Sequence, residues 1–248
     1  MTKTLFAINP GLDRASHAAE FAASGRVQIR DVLTTEAACE IRRLLASETR
    51  FGVAAQGQDG EADEGPRRIS GREITTQSGK QRMRDLAQDA YRAAGKGDYA
   101  FLYAQYSLVE DVQHAGGATT PHGILLEHLN APEFLGLVRD VTGIAELVKA
   151  DAQATLYAPQ HFLSRHIDSH VAEGWRVAYV LNLAPDDWHP DWGGYLNFYD
   201  EEGDIVHGYR PRFNALNLFA VPRPHAVSYV PPFAPVGRFA ITGWLRDR

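Results

Sequence analysis

The sequence predicts an α+β fold: a mainly helical front half and an antiparallel β-rich back half of sandwich, barrel or jelly-roll type. Three observations carry this. Apolar residues recur at helical spacing over about 14–24, 35–49, 80–95 and 130–148. From Ala152 onward, short alternating apolar runs are separated by Pro, Gly and Asp: WRVAYVLNL, GGYLNFY, NALNLFAV, HAVSYV and GRFAITGWL. No linker-like stretch or repeat divides the halves. The chain therefore reads as one domain over 1–248, with about 1–150 mainly helical support and some strands, and about 151–248 the β core.

Taken in order, the helical spacing of residues 14–24 is followed by RVQIRDVL, which alternates from Arg26 to Leu33 and predicts a strand. Thr34 and Thr35 ahead of Glu36 form a helix start. Cys39 lies in that amphipathic stretch and reads as a buried, inert thiol. From Gly52 to Gly79 the chain is polar and glycine-rich, too long for a routine connection. It reads as a solvated loop, or as a lid over a substrate. Trp188 and Trp192, set among Asp186, Asp187, His189 and Asp191, read as a packed surface turn, with a pocket rim as the other reading.

Composition limits the function classes. A net charge of -6 and a pI of about 5.9 give no default for nucleic acid as partner. A single cysteine excludes an intramolecular disulfide framework and suits a reducing compartment. No run approaches the roughly 18 apolar residues of a membrane span, and the first residues lack the apolar core of a secretory signal. The expected location is the cytoplasm.

The chemistry concentrates in HFLSRHIDSH, His161 to His170. In an extended segment, side chains two apart share a face, so His166 and Asp168 point the same way and can share one ion. His170 would join that face if the strand continued, and His161 and His189 are nearby in sequence. A third ligand is His225, opening HAVSYV on another predicted strand. Two imidazoles and one carboxylate leave positions open on an octahedral ion, the arrangement of non-haem Fe(II) oxygenases. A tetrahedral zinc site is the competing chemistry. H-x-D alone is a weak signal.

A second constellation follows in GRFAITGWLR. On one strand Arg238, Ala240, Thr242 and Trp244 share a face, while Phe239, Ile241 and Leu245 share the other. A buried guanidinium needs an anionic partner. A carboxylate matches its planar fork, and it belongs either to an Asp or Glu of the chain or to a bound acid.

With these residues in view, H-x-D, the distal His and R-F-A-I-T-x-W resemble the 2-oxoglutarate- and Fe(II)-dependent oxygenases, most closely their prolyl-hydroxylase branch. The resemblance is dense over about 151–248 and looser back to about residue 98. There YAFLYAQYSL, LVRDVTGIAEL and LYAPQHFLSRHID are similar to the catalytic domain of ribosomal-protein prolyl hydroxylases. It implies a double-stranded β-helix (jelly roll, cupin-like) core with supporting N-terminal helices. His166, Asp168 and His225 match the iron ligands. Arg238 matches the partner of the distal carboxylate of 2-oxoglutarate, and Thr242 a residue that bonds the same carboxylate. Tyr157 matches a tyrosine of the cosubstrate pocket. Val180 stands where some relatives carry another tyrosine, and Asn182 follows on the same strand face as a pocket-lining position. Related halogenases lack the carboxylate that Asp168 provides, so hydroxylation is implied. The implied cofactors are Fe(II), 2-oxoglutarate as cosubstrate, and ascorbate (vitamin C) as a candidate reductant.

The resemblance further implies dioxygen and a prolyl residue of a protein or peptide as substrates, with a free amino acid or other small molecule as the alternative. The chain holds no counterpart of the second domain of the ribosomal-protein enzymes, so a ribosomal target is not carried over. Two other classes stand beside this one. A zinc hydrolase would use the same ligands but leave Arg238 and Thr242 without a role. A non-catalytic jelly-roll module would bind a metabolite without turnover.

Overall fold

The computed structural model describes residues 5–57, 66–168 and 170–248; the side chains of residues 170 and 171 lie outside that description. Helices α1 (Arg14–Ser24) and α2 (Thr35–Ser47) flank strand β1 (Arg26–Arg30). Each helix has the start its sequence provides: Asp13 accepts from the Ser16 amide, and Thr34 from the Ala37 amide. Gly25 ends α1 in the left-handed region.

The polar segment 52–79 is not one loop. It contains β2 (Gly52–Gln56) and β3 (Arg67–Ile69), paired antiparallel, then a short 3-10 turn and the start of α3 (Gln77–Gly95). Residues 58–65 lie outside the described residues. The segment hides its strand character because three of the four buried positions of β2 are small, Gly52, Ala54 and Ala55, with Val53 the one β-branched residue among them; at Gly52 an added Cβ would fall 2.2 Å from the Ile69 carbonyl oxygen. Cys39 is also a correction: it is exposed. The buried stripe of α2 is Ala37, Ala38, Ile41, Leu44 and Leu45, and Cys39 falls outside it.

β4 (Phe101–Ser107) leads into α4 (Leu108–Ala115), α5 (Pro121–Leu129) and α6 (Pro132–Thr142). The helical spacing read over 130–148 stops at Thr142, because Gly143 takes the left-handed conformation. The remaining strands are β5 (Lys149–Ala150), β6 (Gln153–Tyr157), β7 (Phe162–Ile167), β8 (Trp175–Leu183), β9 (Leu196–Tyr199), β10 (Ile205–Tyr209), β11 (Ala215–Ala220), β12 (Pro224–Val227) and β13 (Arg238–Arg246). The five expected apolar runs each overlap one of β8, β9, β11, β12 and β13.

The strands form a nearly closed antiparallel barrel in the order β1-β11-β8-β13-β6-β4-β7-β12-β9-β10, consistent with a jelly-roll core. β1 and β4 come from the front half, so both halves contribute to one sheet. Outside it, α1, α2, α5 and α6 pack their apolar faces on β1, β8, β11 and β13 through Ile29, Leu45, Phe134, Val138, Leu181 and Ile241. Each such side chain, fully buried, contributes about 1.5–3 kcal/mol. α3 covers the other flank, on β2, β3 and β4.

On β13, Ile241 and Leu245 join this outer core, with Phe239 packed against it. Arg238, Thr242 and Trp244 turn inward, as the alternation predicts. Trp188 is buried, meets Trp192 edge-on, and donates from Nε1 to the Gly193 carbonyl at 3.0 Å. Neither tryptophan lines the barrel cavity, so this turn is packed structure.

The turn exits through Gly193 and Gly194. Gly193 has φ 63° and ψ -145°, and a Cβ there would fall 2.0 Å from the Tyr229 carbonyl oxygen. Both atoms of that clash are tied to backbone, so no rotamer relieves it. Gly193→Ala is expected to destabilise the fold by about 3 kcal/mol or more. The check is the denaturant midpoint at unchanged slope.

Candidate metal and carboxylate site

Antiparallel pairing brings together residues far apart in sequence. In the β7–β12 ladder, His225 lies directly opposite His166. The two imidazole centroids are 4.1 Å apart. Asp168 stands one residue past the end of β7, two after His166, and reaches both rings: Oδ1 is 3.6 Å from His166 Nε2, and Oδ2 is 3.6 Å from His225 Nε2. Among the described residues this is the one group of three or more His, Cys, Asp or Glu side chains placed to hold a metal ion, with one ligand atom from each all within 4.8 Å. His161 contacts the Leu156 carbonyl and the Ala158 amide, and His189 faces the amide of Asp191; neither joins the group.

The donor set fits an ion. His166 Nδ1 lies 3.0 Å from the Ser164 carbonyl, and His225 Nδ1 lies 2.9 Å from the Arg223 carbonyl. A carbonyl only accepts, so each ring donates from Nδ1 and leaves the Nε2 lone pair toward the gap. Burial first, then the neighbouring His166, pushes the His225 imidazole below its usual range and keeps it neutral, as a ligand must be. Trp244 Nε1 donates to Asp168 Oδ2 at 2.9 Å. That bond fixes the carboxylate with Oδ1 toward His166 and Oδ2 toward His225. Trp244 is itself clamped by a stack on Trp175 at 4.1 Å.

These groups open into a cavity of about 570 Å³ inside the barrel. Its wall is drawn from several strands. Phe101, Tyr103 and Gln105 come from β4, Gln153, Thr155 and Tyr157 from β6, and Arg238, Thr242 and Trp244 from β13. Val180 is on the wall as well.

Arg238 is 2% exposed. Its guanidinium lies over the Tyr157 ring at 4.6 Å and donates from Nη1 to Asn182 Oδ1 at 3.1 Å. Its Nε has no hydrogen-bond partner, and no carboxylate of the described residues pairs with it. Burial pulls its pKa down to about 10, which leaves it cationic at neutral pH. A buried cation with only neutral neighbours costs several kcal/mol unless an anion arrives. The cavity beside it is where one can.

The structure thus brings His166, Asp168 and His225 together, and places Arg238, Thr242 and Tyr157 on the same cavity. Asn182 differs from its expectation. It is not on the wall but behind Arg238, which it touches. The side chain of His170 lies outside the described residues. Sequence reasoning missed Tyr103, which stacks on Tyr157 at 5.2 Å, and Tyr99, whose ring lies 5.8 Å from that of His166. The period-two run Tyr99, Phe101, Tyr103, Gln105 was the signal available, because all four line the cavity.

Residues 152–246 match the family model of the 2OG-Fe(II) oxygenase superfamily. No curated protein matches the chain in sequence. Similar solved structures include a Pseudomonas putida prolyl-4-hydroxylase, at 18% identity and TM-score 0.57, covering 99% of this chain and 97% of that one. A Burkholderia pseudomallei oxidoreductase of the 2OG-Fe(II) oxygenase family is 13% identical at TM-score 0.58, covering 100% and 97%. A Trichoplax adhaerens prolyl hydroxylase, in complex with a hypoxia inducible factor oxygen degradation domain peptide fragment, is 17% identical at TM-score 0.58, covering 94% and 89%. At these identities the structural likeness speaks to the fold. Among the described residues, no helix is long and apolar enough to cross a membrane.

Proposed function

We propose that this chain is a 2OG-Fe(II) dioxygenase that hydroxylates a prolyl residue of a protein or peptide, with His166, Asp168 and His225 as iron ligands; the match of residues 152–246 to the family model supports this reading. The observation that carries the reading is the pairing, in one cavity, of this ligand set with a buried guanidinium that has no acidic partner among the described residues. Fe(II) with bound 2-oxoglutarate and dioxygen supplies the oxidising power for an unactivated C–H, and succinate and carbon dioxide leave.

The chain's own residues bind and orient. The Nε2 atoms of His166 and His225 and the Asp168 carboxylate would hold the ion. Arg238 neutralises the distal carboxylate of 2-oxoglutarate, and Thr242 and Tyr157 flank it with hydroxyls. Burial raises the Tyr157 pKa well above its ordinary value, so the phenol keeps its proton and can donate. Tyr99, Phe101 and the Trp175–Trp244 stack add apolar surface to the wall beside the three ligands.

The prolyl substrate rests on the names of two similar structures, and the cytoplasm as location rests on the single cysteine. A free amino acid is the second reading, favoured by a cavity within the roughly 300–1,000 Å³ range of small-molecule sites. The deciding experiment supplies Fe(II), 2-oxoglutarate and ascorbate, and measures succinate with proline-containing peptides and with free proline. Peptide-dependent succinate release, with gain of one oxygen atom on proline, supports the proposal. Release with free proline alone moves the substrate to the second reading, and no release with either overturns the prolyl assignment.

A further inference from the structure

Resting on the proposed pairing of Arg238 with a cosubstrate carboxylate, we infer that Asn182 is a positioning residue that makes the site demand a dicarboxylate. It anchors the guanidinium while leaving its charge unspent.

The geometry is specific. Asn182 lies on β8 and pairs with Ala240 of β13, so Arg238 is its diagonal neighbour. Asn182 is 1% exposed. Its Nδ2 lies 3.3 Å from the Val180 carbonyl and 3.4 Å from the Ala215 carbonyl, and its Oδ1 accepts from Arg238 Nη1 at 3.1 Å. Two carbonyls on one side and a guanidinium on the other admit a single orientation of the amide. The oxygen must face the arginine.

The other neighbours of the guanidinium are neutral as well. The Tyr157 ring lies beneath it. The backbone of Gly194 closes another side, where an added Cβ would come within 3.3 Å of Nε. Asp168, the acid on the cavity wall, is committed to the histidines and to Trp244. The anchor is therefore a dipole and not a countercharge. An aspartate of nearly the same size at position 182 would complete an internal ion pair. The guanidinium would then meet an incoming carboxylate already neutralised, with a like charge behind it.

The test compares 2-oxoglutarate with 2-oxopentanoate, which keeps the 2-oxo acid but ends in a methyl group. Both are titrated calorimetrically into protein loaded with Mn(II). Wild type should prefer 2-oxoglutarate by about 100-fold or more. In Asn182→Asp, 2-oxoglutarate binding should fall by about 100-fold and the preference should collapse, while 2-oxopentanoate and Mn(II) bind as before. Asn182→Ala removes the anchor without adding charge, so 2-oxoglutarate should weaken by about 10-fold with the preference still present. A general packing defect would weaken both acids alike and leave their ratio unchanged, which would overturn the inference. Wild-type affinity for 2-oxoglutarate in Asn182→Ala would overturn it too, even if the aspartate variant fails to fold. Arg238→Met separates the two levels. If it keeps the preference, the pairing of Arg238 with the distal carboxylate is wrong. If it loses the preference while Asn182→Asp keeps it, only the role of Asn182 is wrong.

Discussion

Replacing His166 with alanine is expected to reduce succinate release by more than about 100-fold, because residues that merely orient metal ligands already contribute about 10–100-fold. His166 supplies one Nε2 to a group of three, and the chain offers no substitute among the described residues: His161 and His189 are tied elsewhere. The effect should appear as lost metal retention after dialysis against Mn(II), and not as unfolding. His166 lies in a strand whose ladder bonds are made by backbone, and an alanine there keeps them. The melting temperature without metal should stay close to wild type. Equal succinate release by wild type and His166→Ala would remove this residue from the chemistry.

The second large effect belongs to Arg238. Methionine fills much of the same volume but offers no charge. Losing a buried partner of a charged group costs about 2–5 kcal/mol of binding, so the 2-oxoglutarate concentration for half-maximal rate should rise by roughly 100-fold or more. Metal binding should persist, since Arg238 touches none of the three ligands. Stability without cosubstrate should hold or rise, because the substitution removes a buried cation that has no acidic partner among the described residues. An unchanged 2-oxoglutarate requirement would show that the guanidinium faces something else.

Much of this site was legible because strand alternation is a local rule. The inward face of β13, Arg238, Thr242 and Trp244, follows from period two, as does the shared face of His166 and Asp168. The helix start at Thr34 is likewise local, since one or two residues satisfy it. Pairing between strands is not local. Nothing near His225 says that its strand lies against β7 in a register that sets it opposite His166. The bond from Trp244 to Asp168 spans the barrel, and the contact from Asn182 to Arg238 crosses between two strands of one sheet; each needed the fold to become visible. The segment 52–79 misled for a different reason. Its strands GVAAQ and RRI carry a single β-branched residue each, Val53 and Ile69, and no aromatic, so the signal on which strand assignment depends is thin. Cys39 was read from the composition of its helix and not from its angle around it.

The most direct test of the central claim is the linkage between ion and acid. 2-Oxoglutarate is titrated into wild-type protein, once stripped of metal and once loaded with Mn(II). If one ion is held by His166, Asp168 and His225 with Arg238 beyond it, the acid binds tightly only to the loaded protein, and the ion binds more tightly by the same factor when the acid is present. Equal 2-oxoglutarate affinity with and without the ion would contradict the account.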